Sequence, residues 1–217
     1  MARTNTDGAE TAPAQQIIAR YLRDFEQLLR KVDIVAVERV VDLLRAARDR
    51  GGTIYIAGNG GSAATASHWA NDLGKATKIA GRGWIRVMCL SDNTPWLTAL
   101  ANDEGYERAF AGQLENFAGP GDVFIAISAS GNSPNLVHAA DLSNERGLVT
   151  IALLGFDGGA LKDRVTEYLW LETEAGAYGL VETAHSVLCD IVTTCLIEDR
   201  KESLEVAATV HGTSGGR

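Results

Sequence analysis

The stretch TIYIAGNGGSAA, residues 53–64, joins a short apolar run to a glycine-rich loop that enters a helix. The run Thr53–Ala57 is rich in β-branched and aromatic residues, which favours a strand. An apolar run without polar alternation is typical of a parallel strand that is covered on both faces. This stretch therefore predicts a strand–loop–helix unit of an α/β protein.

The same pattern recurs along the chain. Two amphipathic helices, predicted at Gln15–Arg30 and Asp33–Arg50, precede the first strand. A long helix, predicted at Ala177–Lys201, follows the last strand. Further strands, each followed by a loop, are predicted at Ile85–Leu90, Val123–Ser128, Leu148–Leu154 and Tyr168–Leu171. We predict a doubly wound five-stranded parallel α/β sandwich, one domain over residues 15–206, with loose tails at 1–14 and 207–217.

Composition limits the partners of the chain. The formal net charge is −8 and no cluster of Lys and Arg occurs, which argues against direct binding of nucleic acid. No apolar run approaches the roughly 20 residues that span a bilayer. No export signal opens the sequence, and the three cysteines, at 89, 189 and 195, lack metal-type spacing. We expect a cytoplasmic protein without a membrane partner.

Two loops after predicted strands carry the chemistry. Residues 58–64 (GNGGSAA) and 128–135 (SASGNSPN) each lead from a strand into a helix, where free backbone N–H groups attract anions. Hydroxyl and amide donors suit a phosphate group. One such loop also fits an ordinary turn, but two after separate strands favour a phosphate site. Neither loop matches a P-loop or a dinucleotide fingerprint, so no nucleotide cofactor is expected.

Helical spacing brings together further candidate residues for metal binding or proton transfer. His68 and Asp72 are four residues apart, and Glu182 and His185 are three apart, with Asp190 further along the same helix. Each pair suits a metal ion or proton transfer, although spacing alone favours a solvated helix face or a local hydrogen bond.

Together these motifs, with Asn102-Asp103 and Asp157-Gly158-Gly159, resemble the sugar isomerase (SIS) family, and within it the sedoheptulose-7-phosphate isomerase branch. The resemblance implies a homotetramer with active sites at subunit contacts and a phosphorylated sugar as substrate. It assigns substrate and phosphate binding to Asn59, Gly60, Gly61, Ser62, Asn102, Asp103, Ser128, Ala129, Ser130 and Ser133. Ala129 stands where the family has a hydroxyl residue, so one donor is missing.

The resemblance also implies acid–base and metal-binding residues. Asp72 takes the place of the family's catalytic glutamate, and Glu182 that of a glutamine. Asp190 takes the place of a histidine that serves as acid and as zinc ligand, which leaves His185 as the histidine of the last helix. The implied catalytic set is Asp72, Glu182 and His185, and the implied site for one divalent ion, zinc by analogy, is His68, Asp72, Glu182 and Asp190 or His185.

The altered last helix leaves alternatives open. Some relatives of this fold are adaptors of the bacterial replication initiator rather than enzymes. An isomerase for another sugar phosphate, from a secondary-metabolite pathway, is a third interpretation. The retained His68, the acidic Asp72 and the serine loop favour an enzyme.

Overall fold

The structure is a computed structural model that describes residues 13–78 and 84–212, with side chains to residue 198. The elements are α1 (Ala14–Leu29), α2 (Ile34–Asp49), β1 (Thr53–Gly58), α3 (Gly61–Ala76), β2 (Arg86–Cys89), α4 (Thr94–Asp103), a 3₁₀ turn (Tyr106–Arg108), α5 (Ala111–Phe117), β3 (Val123–Ser128), α6 (Pro134–Glu145), β4 (Val149–Leu154), β5 (Glu167–Trp170) and α7 (Tyr178–Gly212).

The strands form one parallel sheet in the order β2-β1-β3-β4-β5, which confirms the predicted α/β fold. β3 is buried along its whole length. Its side chains alternate between two cores because successive residues of a strand face opposite sides. Val123 and Ile125 join a core with α2, α3 and α7, while Phe124 and Ala126 join a core with α5 and α6.

The helix boundaries follow local signals. The Asp33 carboxylate caps α2 by accepting hydrogen bonds from the backbone N–H groups of Val35 and Ala36, as the sequence predicts. α7 continues to Gly212, beyond the predicted end at Lys201. The remainder of the two predicted tails falls on residues 1–12 and 213–217, which lie outside the described residues.

Residues Tyr178–Glu198 of α7 are long and apolar enough to cross a membrane by length and composition alone. In this structure 44% of the segment is buried inside the protein. Its buried apolar positions Val181, Ala184, Leu188, Val192 and Leu196 pack within the molecule. A core helix accounts for this hydropathy.

Candidate active site

The two predicted phosphate loops meet at the middle of the sheet. β1 lies between β2 and β3, and its last residues pair with the end of β3, Ala57 with Ala126 and Gly58 with Ile127. The strand order reverses here, and ligands of open parallel sheets bind beyond the carboxyl ends of the strands at such a point. The loops after β1 and β3 therefore stand side by side, as the sequence predicts.

The first loop places the N-terminus of α3 at this point. A side chain at Gly58 would meet the backbone of Ser62 at 2.5 Å, so only glycine allows this tight turn. Gly60 precedes the helix with a left-handed φ of 54°, and no side chain caps the first turn. The first N–H groups of α3 make no side-chain capping bond, and the Glu182 carboxylate lies beside Gly61 at this end of the helix.

The serine loop offers hydroxyl donors. The Ser128 hydroxyl accepts a hydrogen bond from the Gly131 N–H at 3.0 Å, and the Ser130 hydroxyl accepts one from the Asn132 N–H at 3.2 Å. Because both oxygens accept from the backbone, their protons are free to be donated to a ligand. Ser133 is the N-cap residue of α6, but its hydroxyl makes no capping bond.

The loop after β4 holds the serine loop in place. The Leu161 N–H donates to the Gly131 carbonyl at 3.0 Å, and the Ala160 N–H donates to the Asn132 side chain at 2.8 Å. Gly131 and Gly159 have no room for a side chain where the two loops touch. The Asp157-Gly158-Gly159 motif thus acts by supporting the phosphate loop.

A pocket of about 130 Å³ lies between these loops and α7. It is lined by Asn59, Ser62, Ile127, Ser128, Ala129, Ser130, Ser133, Tyr178 and Glu182. Pockets for whole small-molecule ligands measure about 300–1,000 Å³. One chain therefore forms a subsite that suits one group of a ligand rather than a complete site.

Glu182 reaches this pocket because α7 runs parallel to α3. Its carboxylate occupies the space that a side chain at Gly61 would need. Further along the two helices the Thr65 and Ser186 hydroxyls are 3.5 Å apart, and the Trp69 indole N–H donates to the Thr193 hydroxyl at 3.1 Å. The pairing of the helices places Glu182 at the phosphate end of the site.

The predicted acid–base pair lies at the other end of α3. His68 Nε2 is 3.3 Å from Asp72 Oδ2, with His68 61% and Asp72 27% exposed. The Asn71 amide donates to Asp72 Oδ1 at 3.1 Å. Ten helical residues separate Ser62 from Asp72, a rise of about 15 Å. The structure therefore separates this pair from the phosphate pocket of the same chain.

His185 and Asp190 of α7 lie in different environments. His185 is fully buried, and neither ring nitrogen has a hydrogen-bond partner among the described residues. Burial lowers the pKa of His185 to about 4. Asp190 is exposed. The structure does not bring His185 to the pocket.

The predicted metal ligands do not converge within one chain. Burial raises the pKa of the Cys189 thiol, and the carboxylates of Asp190 and Asp72 add to this effect. Within residues 13–78 and 84–198, no three His, Cys, Asp or Glu side chains are grouped so that they could hold an ion. The side chains of one chain do not fit the implied metal site.

Asn102 and Asp103 are not among the residues that line the pocket. They are exposed in the last turn of α4, where the Asn102 amide donates to the Asp103 carboxylate at 2.7 Å.

Three residues at or beside the pocket were not predicted. Tyr178 lines it, and Tyr106 and Asn135 hydrogen-bond the Asn59 side chain. Asn135 carries a signal, since it directly follows Pro134 at the start of a helix after the serine loop. Nothing in the sequence pattern distinguishes the two tyrosines from packing residues.

Comparison with known proteins gives the family. The SIS domain matches residues 20–155. The phosphoheptose isomerase of Trichlorobacter lovleyi is 36% identical over 184 residues, which cover 82% of this chain and 93% of that protein. The chain belongs to the phosphoheptose isomerase family. The resemblance seen in the sequence is thereby confirmed.

The chain is also similar to a solved structure and to a protein of antibiotic biosynthesis. The structure of phosphoheptose isomerase GmhA from Neisseria gonorrhoeae matches with a TM-score of 0.77 and 26% identity, over 85% of this chain and 98% of that one. The lincomycin biosynthesis protein LmbN of Streptomyces lincolnensis is 41% identical over 143 residues, 62% of this chain and 52% of LmbN.

Proposed function

We propose that this phosphoheptose isomerase family member is an aldose–ketose isomerase that converts sedoheptulose 7-phosphate to a heptose 7-phosphate. The observation that carries the proposal is the convergence of three serine hydroxyls, Ser62 and the uncapped N-terminus of α3 on one small pocket. Neutral donors of this kind suit the phosphate end of such a substrate. Its relatives named phosphoheptose isomerase support the choice of sugar.

The chemistry needs a base and a proton source at the other end of the sugar. A base removes the C1 proton of the ketose, the 2-carbonyl oxygen is protonated, and a cis-enediol forms. Return of a proton to C2 and loss of the O1 proton give the aldose. We assign proton abstraction to Asp72, oriented by His68, and place Glu182 beside the phosphate subsite as the second acid–base group.

We infer that the complete active site forms between subunits. The distance along α3 keeps Asp72 from the phosphate pocket of its own chain, so a neighbouring chain must supply one of the two parts. α1 supports assembly, because its apolar face stays exposed: Ile17 is 46%, Ile18 58%, Tyr21 41% and Leu22 61% exposed. A homotetramer is the assembly that the family resemblance implies.

The remaining predictions rest on the sequence. A divalent ion at His68, Asp72, Glu182 and Asp190 or His185 stays a prediction, and elemental analysis of the purified assembly tests it. The cytoplasmic location and the absence of nucleic-acid and membrane partners likewise stay predictions from composition.

The decisive experiment is turnover of sedoheptulose 7-phosphate by the purified protein, followed by detection of the aldoheptose phosphate. LmbN favours one other candidate, a different sugar phosphate from an antibiotic pathway. A panel of ketose phosphates of different chain length separates the two. Binding of phosphate without turnover of any of them would refute the assignment as an isomerase.

A further inference from the structure

We propose that Tyr178 is a substrate-binding residue whose hydroxyl donates a hydrogen bond to the phosphate group in the serine-loop pocket. This inference rests on the proposed function and deepens it. Tyr178 is the first residue of α7 and lines the pocket together with the serine loop, with 53% of the residue exposed. Because the pocket is only large enough for one group of the ligand, a donor on its wall can reach that group.

The Tyr178 ring is held in position by Phe156. The two rings meet edge to face, with centroids 5.0 Å apart and an interplanar angle of 77°. Phe156 has a left-handed φ of 44°, and it is the one non-glycine residue with positive φ in the part of the chain that the structure describes. This conformation is unfavourable for a bulky side chain, and such outliers cluster at functional sites.

Hydrogen bonds to the β5 region keep the Phe156 backbone in this conformation. The Phe156 N–H donates to the Thr173 hydroxyl at 3.3 Å, and its carbonyl accepts from the Trp170 indole N–H at 3.2 Å. The strained turn therefore aims the Phe156 ring at Tyr178 and limits the positions that the tyrosine can take.

The Tyr178 hydroxyl is free to bind a ligand. It has no hydrogen-bond partner among residues 13–78 and 84–198, whereas the hydroxyls of its neighbours are used: Tyr21 donates to the Gly179 carbonyl and Tyr106 to Asn59. The Tyr178 hydroxyl can therefore donate a hydrogen bond to an anion in the pocket.

The alanine at position 129 fits this arrangement. Its methyl group packs with Phe156 and Val181 in a small buried cluster beneath Tyr178. Ala129 and Tyr178 line the same pocket, and Ala129 offers no hydroxyl there. We infer that the tyrosine supplies the donor that the serine loop lacks.

The test is Tyr178→Phe, which removes the hydroxyl and keeps the ring contact with Phe156. Inorganic phosphate is the probe, as a ligand in calorimetry and as a competitive inhibitor of turnover. We expect the Kd of phosphate and the KM of the sugar phosphate each to rise about tenfold, the size of a lost hydrogen bond to a charged group, with kcat and Tm little changed. Tyr168→Phe, on β5 and outside the pocket lining, is the matched control and should leave both constants unchanged.

The outcomes separate this inference from the proposed function. Weakened phosphate binding in Ser130→Ala together with unchanged binding in Tyr178→Phe overturns the role of Tyr178 alone. Absence of phosphate binding by the wild-type protein overturns the pocket assignment itself. An equal rise in Kd in Tyr178→Phe and Tyr168→Phe also rejects the inference, because the effect would not be local.

Discussion

The side-chain amides of Asn59 and Asn135 exchange two hydrogen bonds of 2.9 Å and so tie the loop after β1 to the first turn of α6. Asn135 is 2% exposed, and the Tyr106 hydroxyl donates to the same Asn59 oxygen at 2.8 Å. With its oxygen occupied by two donors, Asn59 presents only N–H to the pocket that it lines. The pair therefore fixes the spacing of the two loops, and the proposed phosphate group would meet a donor at Asn59.

Asn135→Ala should weaken both the fold and phosphate binding. The change removes two hydrogen bonds in a buried place, so we expect a loss of about 1–3 kcal/mol in the free energy of unfolding and a raised KM for the sugar phosphate. Asn135→Asp should weaken phosphate binding further, because it adds a carboxylate beside an anion site. Asn144→Ala is the control: its amide donates to the Arg164 carbonyl at the other end of α6. An unchanged KM in Asn135→Ala would contradict this role.

Ser130→Ala and Ser133→Ala should each raise KM or lower kcat/KM by about tenfold, because each loses one hydrogen bond to a charged group. Steady-state kinetics with the sugar phosphate measures this. Ser143→Ala serves as control, since the Ser143 hydroxyl bonds the Ala139 carbonyl of its own helix. Wild-type kinetics in both loop variants would remove the phosphate assignment.

Asp72→Asn should abolish nearly all turnover while inorganic phosphate still binds, because the amide cannot accept the C1 proton. Thermal unfolding checks that the variant is folded, and Asp163→Asn, on an exposed loop position, is the control. If Asp72→Asn keeps its activity, Asp72 is not the base.

Acid should destabilise the protein through His185. Burial holds the pKa of His185 near 4, against an ordinary value of 6.5. Between these two pH values the histidine is protonated in the unfolded chain and neutral in the folded chain. This stability is present above about pH 6.5 and falls as the pH drops towards 4, by about 3 kcal/mol in total. His185→Leu should flatten that part of the pH profile in chemical unfolding. His138→Leu, at an exposed position, is the comparison; equal flattening in both would show that burial of His185 is not the cause.

Charges on the exposed apolar face of α1 should break the assembly. Ile18→Glu with Leu22→Glu is expected to lower the mass seen by light scattering and to abolish turnover, since the site needs a second chain. Arg23→Glu changes a charge on the opposite side of the helix and should leave the mass unchanged. A wild-type protein that is a clean monomer at micromolar concentration would contradict both the tetramer and the shared site.

Much of the fold and half of the site could be read from the sequence. The apolar runs of β1, β3 and β4 are continuous because both faces of these strands are covered, and this made them recognisable as parallel strands. The phosphate loops follow from the strands, because parallel strands direct their carboxyl ends to one edge. The positions of Glu182 and His185 relative to the pocket could not be predicted from the sequence. An i, i+3 spacing puts Glu182 and His185 near one face of a helix, yet the packing of α7 turns one to the pocket and buries the other.

The order of the chain by itself therefore determined the sheet, the two anion loops and the His68–Asp72 pair, since each depends on local patterns of two to eight residues. Only the tertiary structure decided that Glu182 lies beside the N-terminus of α3 and that Tyr178 lines the same pocket as the serine loop. The contacts between α3 and α7 that position Glu182 join residues more than a hundred positions apart. They depend on how whole faces of helices pack in three dimensions, and no local pattern in a sequence records that.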